Sequence, residues 1–373
     1  MSQAELRLPD HLLPRDGRFG CGPSKVRPDA VRRLAEVADE LLGTSHRQPR
    51  VRGEVQRLQD GLRQLFGLPE DHEVLLTLGG ATAFWESAAF GLVERRARHY
   101  TFGEFSAKFA AATSAAPWLD DPDVVTSEPG TRPEPSPAPG SDVQAFTHNE
   151  TSTGVMQELF RPDDALVLVD ATSGAGGLPV DLTQVDAYYF SLQKGFASEG
   201  GLTVALLSPA AVERIERIAA TDRYQPTFLD LSTALDNSRK HQTYNTPSVS
   251  TVFLAAEQVD WMLATFGDLD GVVAAQRDKA ERIYDWAEQR SWASPFVSDP
   301  AARSLVVATI DLADEVPSEQ VTAVLRANGI LDTEPYRKLG RNQIRIGMFP
   351  AVDAADLDAY TASVDHIVEH LPG

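Results

Sequence analysis

Two short apolar runs decide the fold: Ala165-Leu166-Val167-Leu168-Val169-Asp170 and Ala187-Tyr188-Tyr189-Phe190-Ser191, the second followed by Leu192-Gln193-Lys194. Short runs that are apolar throughout indicate strands buried on both faces, as in a parallel or mixed sheet between helices. Similar runs occupy residues 73–78, 142–147 and 203–207, and Gly, Asp and Ser residues separate them. The pattern predicts an α/β domain built on a mixed sheet.

The rest of the chain supplies helices around this sheet and a second, smaller unit. Apolar residues at helical spacing predict helices at residues 29–42, 52–66 and 83–95 and one long helical pattern over 250–286. The proline-rich segment 117–140 predicts an extended surface loop. A tail of alternating strands and helices follows, at residues 304–310, 318–328, 343–347 and 354–371. We therefore predict a large α/β domain with an N-terminal arm over residues 1–255 and a small α+β domain over 256–373.

Composition excludes several classes of protein. The chain has 373 residues, of which 42% are hydrophobic, and a formal net charge of −20. This charge would repel nucleic acid and anionic membranes, and every apolar stretch is too short to span a bilayer, so neither partner is expected. The N-terminal segment lacks the apolar core of a signal peptide, and we expect a cytoplasmic protein. The single cysteine, Cys21, excludes an intramolecular disulfide and cysteine-based zinc or iron–sulfur sites, and no metal site is expected.

Lys194 and Asp170 are the candidate catalytic pair. Asp170 closes one buried strand and Lys194 follows the next, and ligands of α/β sheets gather at the carboxyl ends of strands. Desolvation beside an apolar strand lowers the pKa of a lysine amine and makes it a nucleophile. In pyridoxal phosphate (PLP) enzymes an acid such as Asp170 pairs with the pyridine nitrogen. The alternative for Lys194 is an ordinary lysine that points from the strand end into solvent.

The turn Gly79-Gly80-Ala81-Thr82 joins a predicted strand to a predicted helix. Free N–H groups at such a helix N-terminus bind phosphate. A purely structural turn is the alternative, because Gly-Gly turns are common between strands and helices. A nucleotide-binding oxidoreductase is disfavoured because the strand is not followed by a G-x-G-x-x-G fingerprint.

Two basic segments could hold anions in this acidic protein. They are residues 46–52 and 336–345, and both are rich in arginine. Planar guanidinium groups bind carboxylates and phosphates through paired, charge-assisted hydrogen bonds. The alternative is a solvated surface, which is the usual role of a run of charges.

Seven short motifs, taken together and in order, resemble those of the phosphoserine aminotransferases. These are class V, fold-type I enzymes that depend on PLP, and the resemblance extends from about residue 19 to residue 365. The motifs are Gly20-Cys21-Gly22-Pro23-Ser24, Ser45-His46-Arg47, Gly79-Gly80, Asn149-Glu150-Thr151, Asp170-Ala171-Thr172-Ser173, Gln193-Lys194-Gly195 and Asn245-Thr246-Pro247-Ser248.

The resemblance implies a role for each matching residue at the cofactor. Lys194 would bind the cofactor covalently and then act as general base and acid, and Asp170 would pair with the pyridine nitrogen. Thr151 would hydrogen-bond the cofactor. The cofactor phosphate would be bound by Gly80, Ala81 and Gln193, and by Asn245 and Thr246 of the neighbouring subunit of a homodimer. Phe105 stands where the family commonly has a tryptophan stacked on the cofactor ring, and Ala81 stands where it often has an arginine.

The resemblance also implies the substrates. His46 and Arg47 would meet the substrate phosphate across the dimer, Arg345 would bind the α-carboxylate, and Arg337 or its competitor Arg341 would be a further phosphate ligand. The implied reaction is a ping-pong transfer from L-glutamate to 3-phosphohydroxypyruvate in L-serine biosynthesis. The same chemistry on the 4-phosphohydroxythreonine pair would serve pyridoxine biosynthesis.

Three rivals to this function are considered. A serine–pyruvate or alanine–glyoxylate aminotransferase is disfavoured because its substrates carry no phosphate for His46 and Arg47. A cysteine desulfurase needs a mobile nucleophilic cysteine, whereas Cys21 lies in a Gly-Cys-Gly-Pro turn. A non-catalytic protein of the same fold is disfavoured because Lys194, Asp170 and both basic segments are all retained.

Overall fold

The computed structural model describes residues 6–371, which form a large seven-stranded sheet between helices, a small three-stranded sheet and a pair of short strands. The helices are α1 Pro28–Leu41, α2 Pro49–Leu65, α3 Ala81–Gly91, α4 Glu104–Ser114, α5 Pro209–Ala219, α6 Leu231–Ser238, α7 Val249–Phe266, α8 Leu269–Glu288, α9 Ser318–Ala327 and α10 Ala354–His370. The strands are β1 Glu73–Leu78, β2 Ala97–Thr101, β3 Asp123–Thr126, β4 Val143–Thr147, β5 Asn149–Glu150, β6 Val155–Met156, β7 Leu166–Asp170, β8 Ala187–Ser191, β9 Leu202–Leu207, β10 Ala293–Pro295, β11 Val307–Leu312 and β12 Gln343–Gly347.

The large sheet is mixed, as the sequence predicts. Its strand order is β1-β9-β8-β7-β4-β2-β3, and β9 alone runs in the direction opposite to the other six strands. The parallel strands β4, β7 and β8 therefore end at the same edge. In the register, Thr147 pairs with Asp170 and Asp170 with Tyr189, so the residues that follow these strands gather at one place.

Helices cover both faces of this sheet, which explains the continuous apolar runs. Along β7, Val167 and Val169 pack into one core, whereas Leu166 and Leu168 pack into the other. The first core also includes α2, α7 and α8, and the second includes α3, α4 and α5. Each side chain of the strand is buried because alternate residues point to opposite, equally apolar faces.

The small sheet is antiparallel, in the order β10-β11-β12; α8 and α9 pack on it, and α10 packs on these two helices. The N-terminal segment lies along it, because the Gly347 N–H donates to Phe19 O at 2.8 Å and the Leu331 N–H to Gly17 O at 2.7 Å. Residues 20–24, which follow, therefore lie beside the carboxyl end of β8, where the Ser24 N–H donates to Gln193 O. The division of the chain at residues 255 and 256 stays a prediction, and that boundary falls within α7.

Two predicted elements differ from the structure. The long helical pattern over residues 250–286 is two helices, α7 and α8, because the Asp268 side chain accepts a hydrogen bond from the Gly271 N–H at 2.9 Å and starts a new helix. The predicted loop over 117–140 contains the edge strand β3, which pairs in parallel with β2. Prolines flank β3, and none lies within Asp-Val-Val-Thr itself, so its backbone N–H groups remain available for pairing.

Helix α7 is the most apolar of the long helices, and its apolar surface is covered by protein. Val252, Ala255 and Val259 are fully buried in the same core as Leu58 and Leu62 of α2. Within residues 6–371, no helix is long and apolar enough to cross a membrane.

Candidate active site

A cavity of about 410 Å³ lies at the carboxyl ends of β4, β7 and β8. Thr147 and Asp170, the last residues of β4 and β7, line it together with Lys194, which follows β8. Its volume suits a small cofactor or substrate. Seven residues singled out from the sequence line the cavity: Gly80, Ala81, Phe105, Thr151, Asp170, Gln193 and Lys194.

The Lys194 amine is buried at the centre of this cavity. Its Nζ donates to Thr151 Oγ1 at 3.0 Å and lies 5.3 Å from the centroid of the Phe105 ring. Burial lowers its pKa from 10.5 to about 8, and the nearby Asp170 carboxylate opposes that shift. A substantial fraction of the amine is therefore neutral near physiological pH, which is the nucleophilic form.

The N-terminal segment closes over the lysine. Ser24 fixes this segment, because its N–H donates to Gln193 O at 2.8 Å and its hydroxyl to Lys194 O at 2.6 Å. A Cβ atom at Gly22 would lie only 2.4 Å from Lys194 Cε, and Gly22 has φ of +133°. Glycine is therefore required at this position, both for space and for backbone conformation.

Asp170 is a buried carboxylate with two fixed donors. The Thr172 N–H donates to Oδ1 at 2.9 Å, and the Trp85 indole N–H donates to Oδ2 at 2.9 Å. Burial raises the pKa of Asp170, while both donors and the charge of Lys194 act in the opposite direction. Trp85 lies in the apolar helix α3, where it cannot be distinguished from a core residue by sequence.

The N-terminus of α3 opens into the cavity. Gly80 is its N-cap, and Ala81 and Thr82 form its first turn, so their N–H groups have no acceptor within the helix. Gln193 Oε1 is buried and has no hydrogen-bond partner among residues 6–371. These groups fit an anionic ligand such as the phosphate of PLP, because the helix N-terminus is electropositive and the amide of Gln193 can turn to donate.

Comparisons with known proteins identify the family. The sequence model of the class-V aminotransferases matches residues 135–333. The chain is 57% identical to the phosphoserine aminotransferase of Nocardioides sp., over 98% of this chain and 99% of the relative. It is 55% identical to the phosphoserine aminotransferase of Corynebacterium glutamicum, over 97% of each. The chain belongs to the phosphoserine aminotransferase family. The crystal structure of a family member from Cytophaga hutchinsonii superposes with a TM-score of 0.87 and 26% identity, over 94% of this chain and 99% of that one.

Membership of this family confirms the predicted fold type and makes the protein a PLP-dependent aminotransferase. The described residues fit that cofactor. Lys194 offers an amine of lowered pKa, Asp170 a buried carboxylate, Phe105 an aromatic face and the start of α3 a phosphate site. When bound, PLP supplies an electron sink for breaking bonds at an amino acid's α-carbon.

Six predicted site residues do not line this cavity within a single chain, and four of them lie between residues 46 and 246. His46 and Thr246 contact each other, with Nδ1 and Oγ1 3.1 Å apart. Asn245 lines a groove beside β1, and the Arg47 side chain is exposed. Burial and the neighbouring Arg47 lower the pKa of His46, so its imidazole is neutral at physiological pH. His46 and Thr246 are 200 residues apart in the sequence, and the structure brings them together without bringing them to Lys194.

The three C-terminal arginines differ in the groups that they contact. Arg345 donates from Nη1 to Thr151 O at 3.1 Å, which places it beside the cavity, and its charge lowers the pKa of Lys194. Arg341 pairs with Asp311 and stacks on the Phe296 ring. Arg337 lines a neighbouring groove of about 390 Å³ and forms no ion pair with any residue in the range 6–371. The charge of Arg337 is therefore available to a ligand, whereas that of Arg341 is largely neutralised.

Sequence analysis assigned no site role to several residues that line the cavity. They are Gly22, Pro23, Thr82, Trp85, Thr147, Asn149, Thr172, Ser173 and Gly200. Most lie inside or beside the seven motifs, so proximity to a motif was a usable signal. For Trp85 and Thr147 the only signal was their place within an apolar helix and an apolar strand, which equally indicates core.

The lowered pKa of Lys194 predicts the pH dependence of cofactor uptake. We expect the rate at which cofactor-free protein binds PLP to rise with pH and to level off above about 8, because the neutral amine is the reacting form. At pH 7 the neutral fraction is about 300-fold larger than for a lysine with a pKa of 10.5. Between pH about 8 and 10.5 the folded chain binds fewer protons than the unfolded chain, because the pKa of Lys194 is lower in the folded state, and the stability of the fold therefore rises with pH over that interval. Stopped-flow absorbance from pH 6.5 to 10.5 measures the rate, and a rise that continues to pH 10 would contradict this assignment.

Proposed function

We propose that this protein transfers the amino group of L-glutamate to 3-phosphohydroxypyruvate, giving O-phospho-L-serine and 2-oxoglutarate in L-serine biosynthesis. The observation that carries the proposal is the buried Lys194 amine, which faces Thr151, Phe105 and the cavity that Asp170 lines. The phosphoserine specificity is supported by relatives of that name at 55–57% identity over nearly the whole chain. The 4-phosphohydroxythreonine pair is a second proposed substrate, because it presents the same phosphate and carboxylate groups.

Lys194 is proposed to bind the cofactor and then to carry a proton between the α-carbon of the amino acid and the cofactor. Its pKa of about 8 suits both steps, because an amine near half-protonation can accept and return a proton. Asp170 is proposed to hold the pyridine nitrogen protonated, with its own carboxylate held in place by Trp85 and Thr172. Phe105 is proposed to stack on the ring.

The cofactor phosphate is proposed to lie at the N-terminus of α3. Gly80 and Ala81 would donate backbone N–H groups, and Gln193 would donate its amide. Thr151 is proposed to hydrogen-bond the cofactor, because its hydroxyl lies beside Lys194. That hydroxyl accepts a hydrogen bond from the Lys194 amine and donates one to Ser173 Oγ at 2.8 Å. Together these groups would hold the cofactor beside Lys194.

The substrate is proposed to lie between Arg345 and Arg337. Arg345 is half-buried and donates to Thr151 O, and its buried Nε has no hydrogen-bond partner within residues 6–371, so a substrate carboxylate would satisfy it. Arg337 is proposed as a phosphate ligand in preference to Arg341, which Asp311 already neutralises. An unpaired guanidinium beside a cavity gains more from an anion than one that already has a carboxylate partner.

A homodimer with shared active sites is proposed to complete the site. His46, Arg47, Asn245 and Thr246 lie outside the cavity of their own chain, and a second copy would bring them to the phosphate groups. The groove that includes Asn245 is bordered by Phe228 and Tyr244, two large side chains that are 52% and 47% exposed. Exposed aromatic residues of this kind are typical of a protein interface.

The proposed compartment is the cytoplasm. The single cysteine, Cys21, leaves the chain without the intramolecular disulfides on which many secreted proteins rely. The proposed organisation keeps a large cofactor-binding domain over residues 1–255 and a small domain over 256–373. The small domain would supply Arg337 and Arg345 to the cavity.

An alanine–glyoxylate aminotransferase has the same fold and is the rival activity. The enzyme of that name from Nostoc sp. superposes with a TM-score of 0.79 at 18% identity, so the fold alone does not separate the two activities. Glyoxylate carries no phosphate and leaves Arg337 without a partner.

The test is a spectroscopic cycle. We expect purified protein to show the visible absorbance band of lysine-bound PLP, L-glutamate to bleach it, and 3-phosphohydroxypyruvate to restore it within one turnover. Pyruvate and glyoxylate at the same concentration are the matched controls, and we expect them to restore the band at least about 100-fold more slowly, because they leave the phosphate site empty. Equal recovery with glyoxylate would favour the rival activity.

A further inference from the structure

Glu150 is a fully buried carboxylate that the proposed chemistry does not use. It forms no ion pair with any cationic side chain among residues 6–371 and is 0% exposed. Its two oxygens instead collect hydrogen bonds from the backbone N–H groups of Phe105, Ser106 and Ser152 and from the hydroxyls of Ser106 and Ser152, at 2.7–3.3 Å. A buried charge is retained only where such donors compensate for lost water.

The donors belong to the first turn of α4. Phe105 and Ser106 are its second and third residues, so their N–H groups have no acceptor within the helix, and a negative charge there interacts favourably with the helix dipole. The carboxylate packs tightly against the preceding backbone. A Cβ atom at Gly103 would lie 2.4 Å from Glu150 Cγ, which leaves no room for any other residue.

This turn carries the aromatic side chain of the active site. The Phe105 ring lies 5.3 Å from Lys194 Nζ and 6.3 Å from the centroid of the Tyr336 ring. The residue before it, Glu104, forms an ion pair with Lys338 of the arginine-rich segment. On the other side, Glu150 is followed directly by Thr151, which accepts the hydrogen bond from Lys194. Glu150 therefore joins the two elements that face each other across the lysine.

We propose that Glu150 is a positioning residue that fixes Phe105 over the cofactor ring by binding the first turn of α4. The inference rests on the proposed stacking role of Phe105. Holding the first turn of α4 requires a charged carboxylate at Glu150, because hydrogen-bond donors face both of its oxygens. Ser152 N and Oγ face Oε1, whereas Ser106 N and Oγ face Oε2. An amide in its place would direct its own NH₂ group at one of these donor sets, and the turn would have to move.

The experiment compares wild type with Glu150→Gln in the PLP-bound protein. We expect PLP to dissociate about 10-fold more readily and the visible circular dichroism per bound cofactor to fall by about half, because a displaced ring no longer holds one orientation. We expect kcat to fall about 10-fold with the KM for L-glutamate within threefold, since the arginines are unchanged. Unaltered circular dichroism and PLP affinity in Glu150→Gln would overturn the inference.

Two further variants separate positioning from stability. Asp142 is a matched control, because its carboxylate accepts the backbone N–H groups of residues 94–96 far from the cavity. We expect Asp142→Asn to lower the melting temperature while leaving the cofactor signals at wild-type values. In the Phe105→Leu background we expect Glu150→Gln to cost less than threefold in kcat, because the ring it positions is gone. A full 10-fold loss in that background would show that Glu150 does not act through Phe105.

Ser152→Ala provides a milder variant should Glu150→Gln not fold. It removes one hydroxyl donor from Oε1 and the acceptor of the Glu104 N–H. We expect the same loss of circular dichroism at a smaller amplitude, and an unchanged signal would overturn the inference. The cofactor measurements need no substrate. Failure of wild type to convert 3-phosphohydroxypyruvate would therefore overturn the proposed reaction alone and leave this comparison valid.

Discussion

Lys194→Ala is expected to lower kcat by about 10⁵-fold or more, the largest effect of any single substitution in this protein. Among the residues that line the cavity, Lys194 is the only one with an amine or imidazole, so no neighbour can replace it as nucleophile or as proton carrier. The fold should survive, because removing the buried amine leaves Thr151 hydrogen-bonded to Ser173. Steady-state turnover of L-glutamate with 3-phosphohydroxypyruvate measures the loss.

Two controls accompany this variant. Lys194→Arg keeps a positive charge that cannot act as nucleophile at neutral pH, and we expect it to be as inactive as Lys194→Ala. The exposed Lys240 is outside the cavity, and Lys240→Ala should retain wild-type activity. A visible band of covalently bound PLP in Lys194→Ala would show that a different group holds the cofactor.

Asp170→Asn is expected to lower the rate of the L-glutamate half-reaction by about 10³-fold while PLP remains bound. The substitution removes the negative charge that is proposed to keep the pyridine nitrogen protonated, and with it much of the cofactor's capacity to accept electrons. The new amide still presents one oxygen to Trp85 or to the Thr172 N–H, so the local fold should be retained. Single-turnover bleaching of the visible band by L-glutamate measures the rate.

The control for Asp170→Asn is a second buried carboxylate on the same sheet. Asp186 accepts hydrogen bonds from the Val167 N–H and the Ser208 hydroxyl, and it does not line the cavity. Asp186→Asn should lower stability with little effect on the bleaching rate. A loss of less than tenfold in Asp170→Asn would mean that its charge is not needed at the pyridine nitrogen.

The sequence was sufficient for the parts of this protein that depend on local patterns. Apolar runs gave the buried strands, and the rule that ligands gather at the carboxyl ends of parallel strands placed Asp170 and Lys194 together. The structure brings both into one cavity. Where the pattern was ambiguous the prediction was wrong: helical periodicity continues across residues 266–269, but α7 ends at its C-cap Gly267, which has φ of +87°, and the capping side chain of Asp268 begins α8.

Contacts between distant parts of the chain could not be predicted in this way. Trp85 reaches Asp170 because α3 packs on β8, the neighbour of β7 in the large sheet, and nothing in the sequence around either residue indicates this contact. The choice between Arg337 and Arg341 depends on Asp311, which lies on the neighbouring strand of the small sheet. His46 contacts Thr246 because the segments before α2 and α7 lie side by side.

The sequence by itself determined the α/β fold and singled out Lys194 and Asp170 as candidate catalytic residues, because hydrophobic periodicity and residue type are local properties of the chain. Only the tertiary structure decided which neighbouring groups surround these residues and shift their pKa values. The pKa of Lys194 follows from burial beneath Gly22 and beside Arg345, and the position of Phe105 on α4 follows from the Glu150 carboxylate on β5. Desolvation and hydrogen bonding depend on what surrounds a group in three dimensions, and that is fixed only when the chain has folded.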